Sequence, residues 1–394
     1  MQETHPINPY SDLRRRLQKK LNGFSDDVPE SGGIKMVSYR PERTVFPVPE
    51  LVLFALRDVL GWKWYGEGEK VRWTVRGALD GAPVAFELRK FGFTVIRPEG
   101  RDDLDPRILG QLPSALREVE VFLRPLAEQQ VANGHVLITN RYSEFNDRYH
   151  FFRDHADRSY KRSEQPPRRK EKTVADDSGR VSLSDATRDM NRMLSAQREG
   201  FFYSTAMVDS YFSCLEHRLI LLRAFTGRPL AEGELLDLLA AKWDEKLKTL
   251  FPSPLPESVA TALGQMRRIK ERIRNPFAHG GVENDRGSLF FRLPKIGAIP
   301  ANFSKFANSV RFSFLPVEAD DHAECCAVFD ALDVLLSERE LSGPHEMVRW
   351  GVDPVFDAKS LSEYAEAVAG GPEHVDAFIE HWSRAWERHA NMDY

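Results

Sequence analysis

Arg274 and His279 stand five positions apart in the stretch ERIRNPFAHGG, Glu271 to Gly281. Together they offer a permanent cation and an imidazole whose ordinary pKa of about 6.5 lets it give or take a proton near neutrality. Those are the groups that RNA cleavage needs without a metal. RNA carries its own nucleophile, the 2′-hydroxyl, so the protein has only to move protons and stabilise charge. His279 can serve as general base or acid. Arg274 can fork onto the non-bridging phosphate oxygens as negative charge builds on them. Asn275, between the two, can orient the phosphate or cap a helix.

On an unbroken helix, residues five apart are turned about 140° from one another and face different directions. Pro276 argues for a break. It cannot donate to the helical ladder, and it pushes Asn275 toward extended geometry. The pair Asn275-Pro276 therefore predicts the end of one helix and the start of a single new turn, which Gly280-Gly281 then closes. Such a kink can bring the guanidinium and the imidazole to one cleft. The competing account is that the two cations only favour a helix C-terminus.

A second pair of candidates lies upstream. Asp209 and Glu216 are seven apart on a long helical stretch and so share a face. At the helix edge they can pair with Arg218 or Arg223.

The remaining chain must position these groups. Residues 1–29 predict an N-terminal helical arm, with Tyr10, Leu13, Leu17 and Leu21 at helical spacing. Residues 30–158 predict a small α+β domain. A helix opened by Pro49 is followed by three strand-like runs from Lys70 to Pro98, with Asp80-Gly81 as a hairpin signal, and by a helix from about Leu104 to Asn133 that leads into a short strand, HVLITN. Arg72, Arg76, Arg89, Lys90 and Arg97 are interleaved there with Trp73, Phe86, Phe91 and Phe93. This predicts a sheet with aromatic residues inward and charges outward, or else a nucleic-acid surface. Residues 159–184 read as a basic polar linker, either a solvated tether or a phosphate-attracting segment.

Residues 185–342 are strongly helical, with two strand-like runs, GSLFFRL and SVRFSFLPV, after the motif. Residues 343–394 add short C-terminal helices.

The wording Arg-Asn-Pro-Phe-Ala-His-Gly, following three helices of which the first is long and apolar, resembles the HEPN superfamily. Its domains are bundles of four or five helices, often with an Arg-x(4–6)-His motif that makes them metal-independent ribonucleases. The resemblance covers residues 185–340 or so and implies that Arg274 and His279 are catalytic, supported by Asn275, Asp209 and Glu216. It also implies cyclic-phosphate products, a homodimer with two motifs across one groove, and a role in toxin, stress or antiviral defence under an antitoxin or regulatory partner. The fold expected is an α+β N-terminal domain followed by a mostly α-helical HEPN-like bundle with a β-hairpin insertion. A non-catalytic HEPN-like module that binds RNA, nucleotide or protein is the alternative, and a helical scaffold is a third.

Composition sets limits on these readings. With 42% hydrophobic and 29% charged residues, the chain has an ordinary globular balance, and a net charge of −4 leaves nucleic-acid contact to local patches. Three cysteines are too few for a disulfide framework, and Cys325-Cys326 read as core. No apolar run suggests a signal or a membrane span, which predicts a cytoplasmic protein. His374, His381 and His389 lack the spacing of a helical metal site, and no Gly-rich phosphate loop is present, so no metal or cofactor is expected.

Overall fold

Alternation in the first third of the chain builds an antiparallel sheet, and helical periodicity in the rest builds a bundle. The computed structural model describes residues 10–29, 33–165, 183–275, 289–304, 309–311 and 317–391. The chain divides into two units, Met1–Ala132 with Glu380–Tyr394, and Asn133–Ile379.

In the first unit, α1 (Ser11–Lys20) precedes β1 (Phe24–Ser25) and β2 (Met36–Tyr39). Next come α2 (Glu50–Leu53, continued by a π-turn over Phe54–Val59), β3 (Trp64–Tyr65), β4 (Val71–Leu79), β5 (Ala82–Arg89), β6 (Gly92–Pro98) and α3 (Asp105–Ala132). The strands run in the order β1-β4-β5-β6-β2, all antiparallel, with β3 also on β4. Asp80 and Gly81 make the expected tight hairpin: both take positive φ, 48° and 75°, and Leu79 faces Ala82. Leu13 and Leu17 of α1, Trp73, Phe86 and Phe93 of the sheet, and Ile108, Leu112, Leu116 and Val119 of α3 form one buried core. The N-terminal segment is therefore no separate arm. Its leucine stripe needs cover, and the unit's core supplies it.

The aromatic residues of the sheet mostly point inward, as one of the two sheet readings expected, while Phe91 lies exposed in the turn between β5 and β6. Arg97 departs from the outward pattern. It is buried, and its guanidinium is gripped by Asp105 at 2.7 and 2.8 Å.

The second unit opens with α4 (Tyr142–Glu164), which the sequence left in the preceding domain and its linker. Tyr149, Ala156 and Tyr160 make a buried stripe on it. Tyr149 meets Tyr211 at 5.0 Å, and Tyr160 meets Gly200, so α4 runs antiparallel to α5 (Leu183–Phe225). The boundary accordingly falls at Ala132/Asn133 rather than after residue 158, because that stripe is covered by α5. The expected strand at HVLITN is reduced to a single bridge, Leu137 to Val355. The expected linker falls partly on α4, and residues 166–182 lie outside the described residues.

Three further helices follow, α6 (Glu234–Ala240), α7 (Trp243–Thr249) and α8 (Glu257–Ile269). The expected insertion is a three-stranded antiparallel sheet, β7 (Leu289–Leu293), β8 (Gly297–Ser304) and β9 (Ser309–Arg311). The extra strand, β8, contains Pro300, which reads as a strand breaker. It is tolerated where β8 pairs with β7 alone, opposite Phe290. Next, α9 (Ala319–Leu335) returns to the bundle, with Phe329 stacked on Tyr211 at 3.8 Å. The chain ends with α10 (Ser342–Arg349), α11 (Ala358–Ala369) and α12 (Pro372–Asn391), whose last turns belong to the first unit. No helix among the described residues is long and apolar enough to cross a membrane.

Candidate functional site

The helix that carries Arg274 is held by an apolar stripe. Val259, Ala262, Leu263, Met266 and Ile269 of α8 are buried, and Ile273 continues the series. Past Ile269 the helix widens into a π-turn over Lys270–Arg274, and the Asn275 N–H donates to the Lys270 carbonyl five residues back. Insertions of this kind shift the phase of a helix and recur at functional sites. Here the turn keeps Ile273 inside and leaves Arg274 beside it, 26% exposed.

The guanidinium of Arg274 lies on one face of α5. Its Nε donates to Asp209 Oδ1 at 3.2 Å, its Nη1 stands 3.8 Å from Glu216 Oε1, and it sits 5.0 Å above the Phe212 ring. Asp209, Phe212 and Glu216 are three and four residues apart, so they present one surface to it. Both carboxylates are well exposed, so the ion pairs orient the side chain more than they stabilise the fold.

The structure thus brings together Arg274, Asp209 and Glu216. The alternative partners for these carboxylates are occupied elsewhere, Arg218 by Asp333 and Arg223 by the carbonyls of Arg228 and Pro229. Asn275 is half-buried and still helical, with φ −61° and ψ −44°, where extended geometry was expected. Its bond to Lys270 holds it in the helix, and the donor that proline lacks falls beyond that bond. The new turn expected from Pro276 to Gly281, and His279 with it, lies outside the described residues.

Two buried polar clusters escaped the sequence reading. In the first, His322 of α9 joins Ser204 of α5 to Asp157 of α4. Nδ1 lies 3.0 Å from Ser204 Oγ, and Nε2 lies 3.1 Å from Asp157 Oδ1. The types are those of a hydrolytic triad, but the imidazole is turned the other way round, and the serine hydroxyl is buried. Burial lowers the His322 pKa, with Asp157 opposing. Cys326 is core, as expected, yet its sulfur lies 3.6 Å from His322 Nε2, and burial pushes its thiol up to about 11. The cluster ties three helices together, with Ser204 and His322 both buried.

In the second cluster, buried Arg218 donates to Asp333 Oδ1 at 2.7 Å and to His345 Nδ1 at 3.1 Å. Burial and the neighbouring Arg218 and Arg349 push His345 down to about 4, so the ring is neutral and Nδ1 can accept. Burial also raises the Asp333 carboxyl, against Arg218. The adjoining cavity, bounded by Tyr142, Asn146, Tyr211, Arg218 and Asp333, holds about 10 Å³. That is room for one water and excludes an organic substrate.

The only local hint of either cluster was the four-residue spacing of His322 and Cys326. Their other members come from helices more than 100 positions away in the sequence. Among the described residues, no group of three or more His, Cys, Asp or Glu is arranged to hold a metal ion.

Comparison of the chain with protein-family models, with curated proteins and with solved structures finds no significant match. The HEPN-like reading rests on the residues themselves.

Proposed function

We propose that the helical unit is a metal-independent endoribonuclease of the HEPN type, with Arg274 and His279 as its reactive groups. The observation that carries this reading is the Arg274 guanidinium. It is delivered by a π-turn onto the Asp209–Phe212–Glu216 face, partly open to solvent, five positions before His279.

In this mechanism an imidazole removes the proton from the 2′-hydroxyl, and the 2′-oxygen attacks the adjacent phosphorus. The bond to the 5′-oxygen breaks, and that oxygen takes a proton as it leaves. The products are a 2′,3′-cyclic phosphate and a 5′-hydroxyl. Arg274 donates to the non-bridging oxygens as charge builds on them, and Asp209 keeps the fork aimed. A homodimer across the groove supplies a second His279 as the acid. Toxin, stress or antiviral defence is the setting that fits such an activity, with an antitoxin or regulatory partner restraining it.

The two carboxylates on Arg274 favour a second reading, in which the arginine pins the π-turn and the unit binds RNA, nucleotide or protein without cleavage. Labelled RNA incubated in EDTA with wild type, Arg274→Ala and His279→Ala separates the two. Cleavage by wild type to cyclic-phosphate ends, with both variants slower by on the order of 100-fold, is the expected result. Equal cleavage by all three proteins removes the mechanism, and binding by wild type without cleavage selects the second reading.

A further inference from the structure

Arg274 closes one end of a longer stripe on α5. Counted at about 100° per residue, Thr205, Phe202 and Arg198 lie within about 40° of Asp209 around the helix axis. Arg198 and Asp209 are separated along that axis by about 16 Å. Phe202 is 56% exposed, and Arg198 is exposed too. The Thr205 hydroxyl donates to the Phe202 carbonyl at 2.9 Å, so it is spent on the helix.

An aromatic face thus stands between two arginines on the surface that holds Arg274. Of the other exposed apolar residues described on α5, Met190 and Met193 are turned from the nearer edge of the stripe by about 60° and 120°, and Leu194, about 20° from that edge, is parted from Phe202 by Arg198. At the Phe202 end, away from the Arg274 groove across which the homodimer is proposed, a second copy would need a continuous apolar stripe, which Arg198 and Thr205 interrupt. Phe202 has Glu199 and Thr205 as its helical neighbours at three residues. The alternation of cation, aromatic ring and cation matches a strand whose phosphates meet arginines and whose unstacked base lies on a ring.

Resting on the ribonuclease reading, we infer that this stripe is a track for single-stranded RNA. Phe202 stacks a base, and Arg198 takes a phosphate upstream of the one held by Arg274. Duplex RNA keeps its bases stacked internally and gains nothing from Phe202.

The test uses the full chain and a labelled single-stranded RNA oligonucleotide beside its duplex. Binding is measured in the His279→Ala background in EDTA, and cleavage in the His279 protein. Phe202→Ala should weaken single-strand binding roughly 10-fold and raise KM alike with kcat unchanged. Phe202→Trp should restore both, and Phe202→Leu, equally apolar, should not. Arg198→Ala should reduce the slope of log affinity against log salt by about 1.

Unchanged binding by Phe202→Ala, full rescue by leucine, or a change of oligomeric state in Phe202→Ala overturns the track. Failure to bind single-stranded RNA in the parent protein overturns it also. Cleavage by wild type with no effect of Phe202 removes the track alone. Binding that depends on Phe202 without any cleavage supports the track and removes the ribonuclease.

Discussion

The Nε of Arg274 donates to Asp209 Oδ1 at 3.2 Å, across 65 residues of sequence. Each exposed pair of this kind is worth roughly 0.2–1 kcal/mol, so its value lies in aiming the guanidinium. Asp209→Asn should therefore change stability by less than about 1 kcal/mol while slowing RNA cleavage roughly 10-fold, because the amide holds the fork less firmly. A melting curve and a cleavage time course on one preparation decide it. A marked drop in Tm with normal cleavage would recast Asp209 as a structural clamp.

That contact was half-legible in the sequence. Two carboxylates seven apart announce a shared face, and Asp80-Gly81 announces its hairpin, because both signals are local. The partner of the carboxylates was one of several arginines, and only the packing of the Lys270–Arg274 π-turn on α5 selects Arg274. The π-turn was hidden, since Pro276 drew attention to a break that the described helix does not yet show at Asn275. Membership of α4 in the bundle was hidden for another reason. Its stripe of Tyr149, Ala156 and Tyr160 shows that it must be covered, and only the folded chain shows by what.

Acid should loosen the helical unit. Burial, with Arg218 and Arg349, holds the His345 imidazole at about 4, whereas the unfolded chain protonates it near its ordinary 6.5. Between these values the unfolded state binds more protons, so stability is full above about pH 6.5 and declines as pH falls toward 4. His345 contributes at most about 3 kcal/mol to that decline. His322 and His217, also lowered chiefly by burial, add to it in the same direction. Urea unfolding followed from about pH 7 to about pH 5 should show the loss. His345→Gln, whose side-chain oxygen can still accept from Arg218, should flatten it. A variant as pH-sensitive as wild type would assign the decline to other groups.

Two glycines should respond to alanine with opposite signs. Gly77 sits on β4 beneath Trp62, and a Cβ there would clash with the indole and lie 2.6 Å from the Ser25 carbonyl oxygen. Gly77→Ala should cost about 1–3 kcal/mol by overpacking. Gly110, on the exposed side of α3, has open space where a Cβ would go. Gly110→Ala should add about 0.5–1 kcal/mol through helix propensity and a less entropic unfolded chain. Chemical denaturation of both variants measures the contrast. A neutral Gly77→Ala would mean that Trp62 can move aside.

The buried Arg97 allows a comparison of two aspartates on one guanidinium. Asp105, 24% exposed, takes both arms of the fork at 2.7 and 2.8 Å. Asp102 also bonds Nη2 but is 82% exposed. Removing the partner of a buried charge costs about 3–5 kcal/mol, whereas an exposed pair is worth at most about 1 kcal/mol. Because Asp102 remains to compensate in part, Asp105→Ala should cost about 2–4 kcal/mol. Asp102→Ala should cost less than about 1 kcal/mol. Equal losses for the two variants would show that solvent reaches the Arg97 guanidinium and screens both pairs alike.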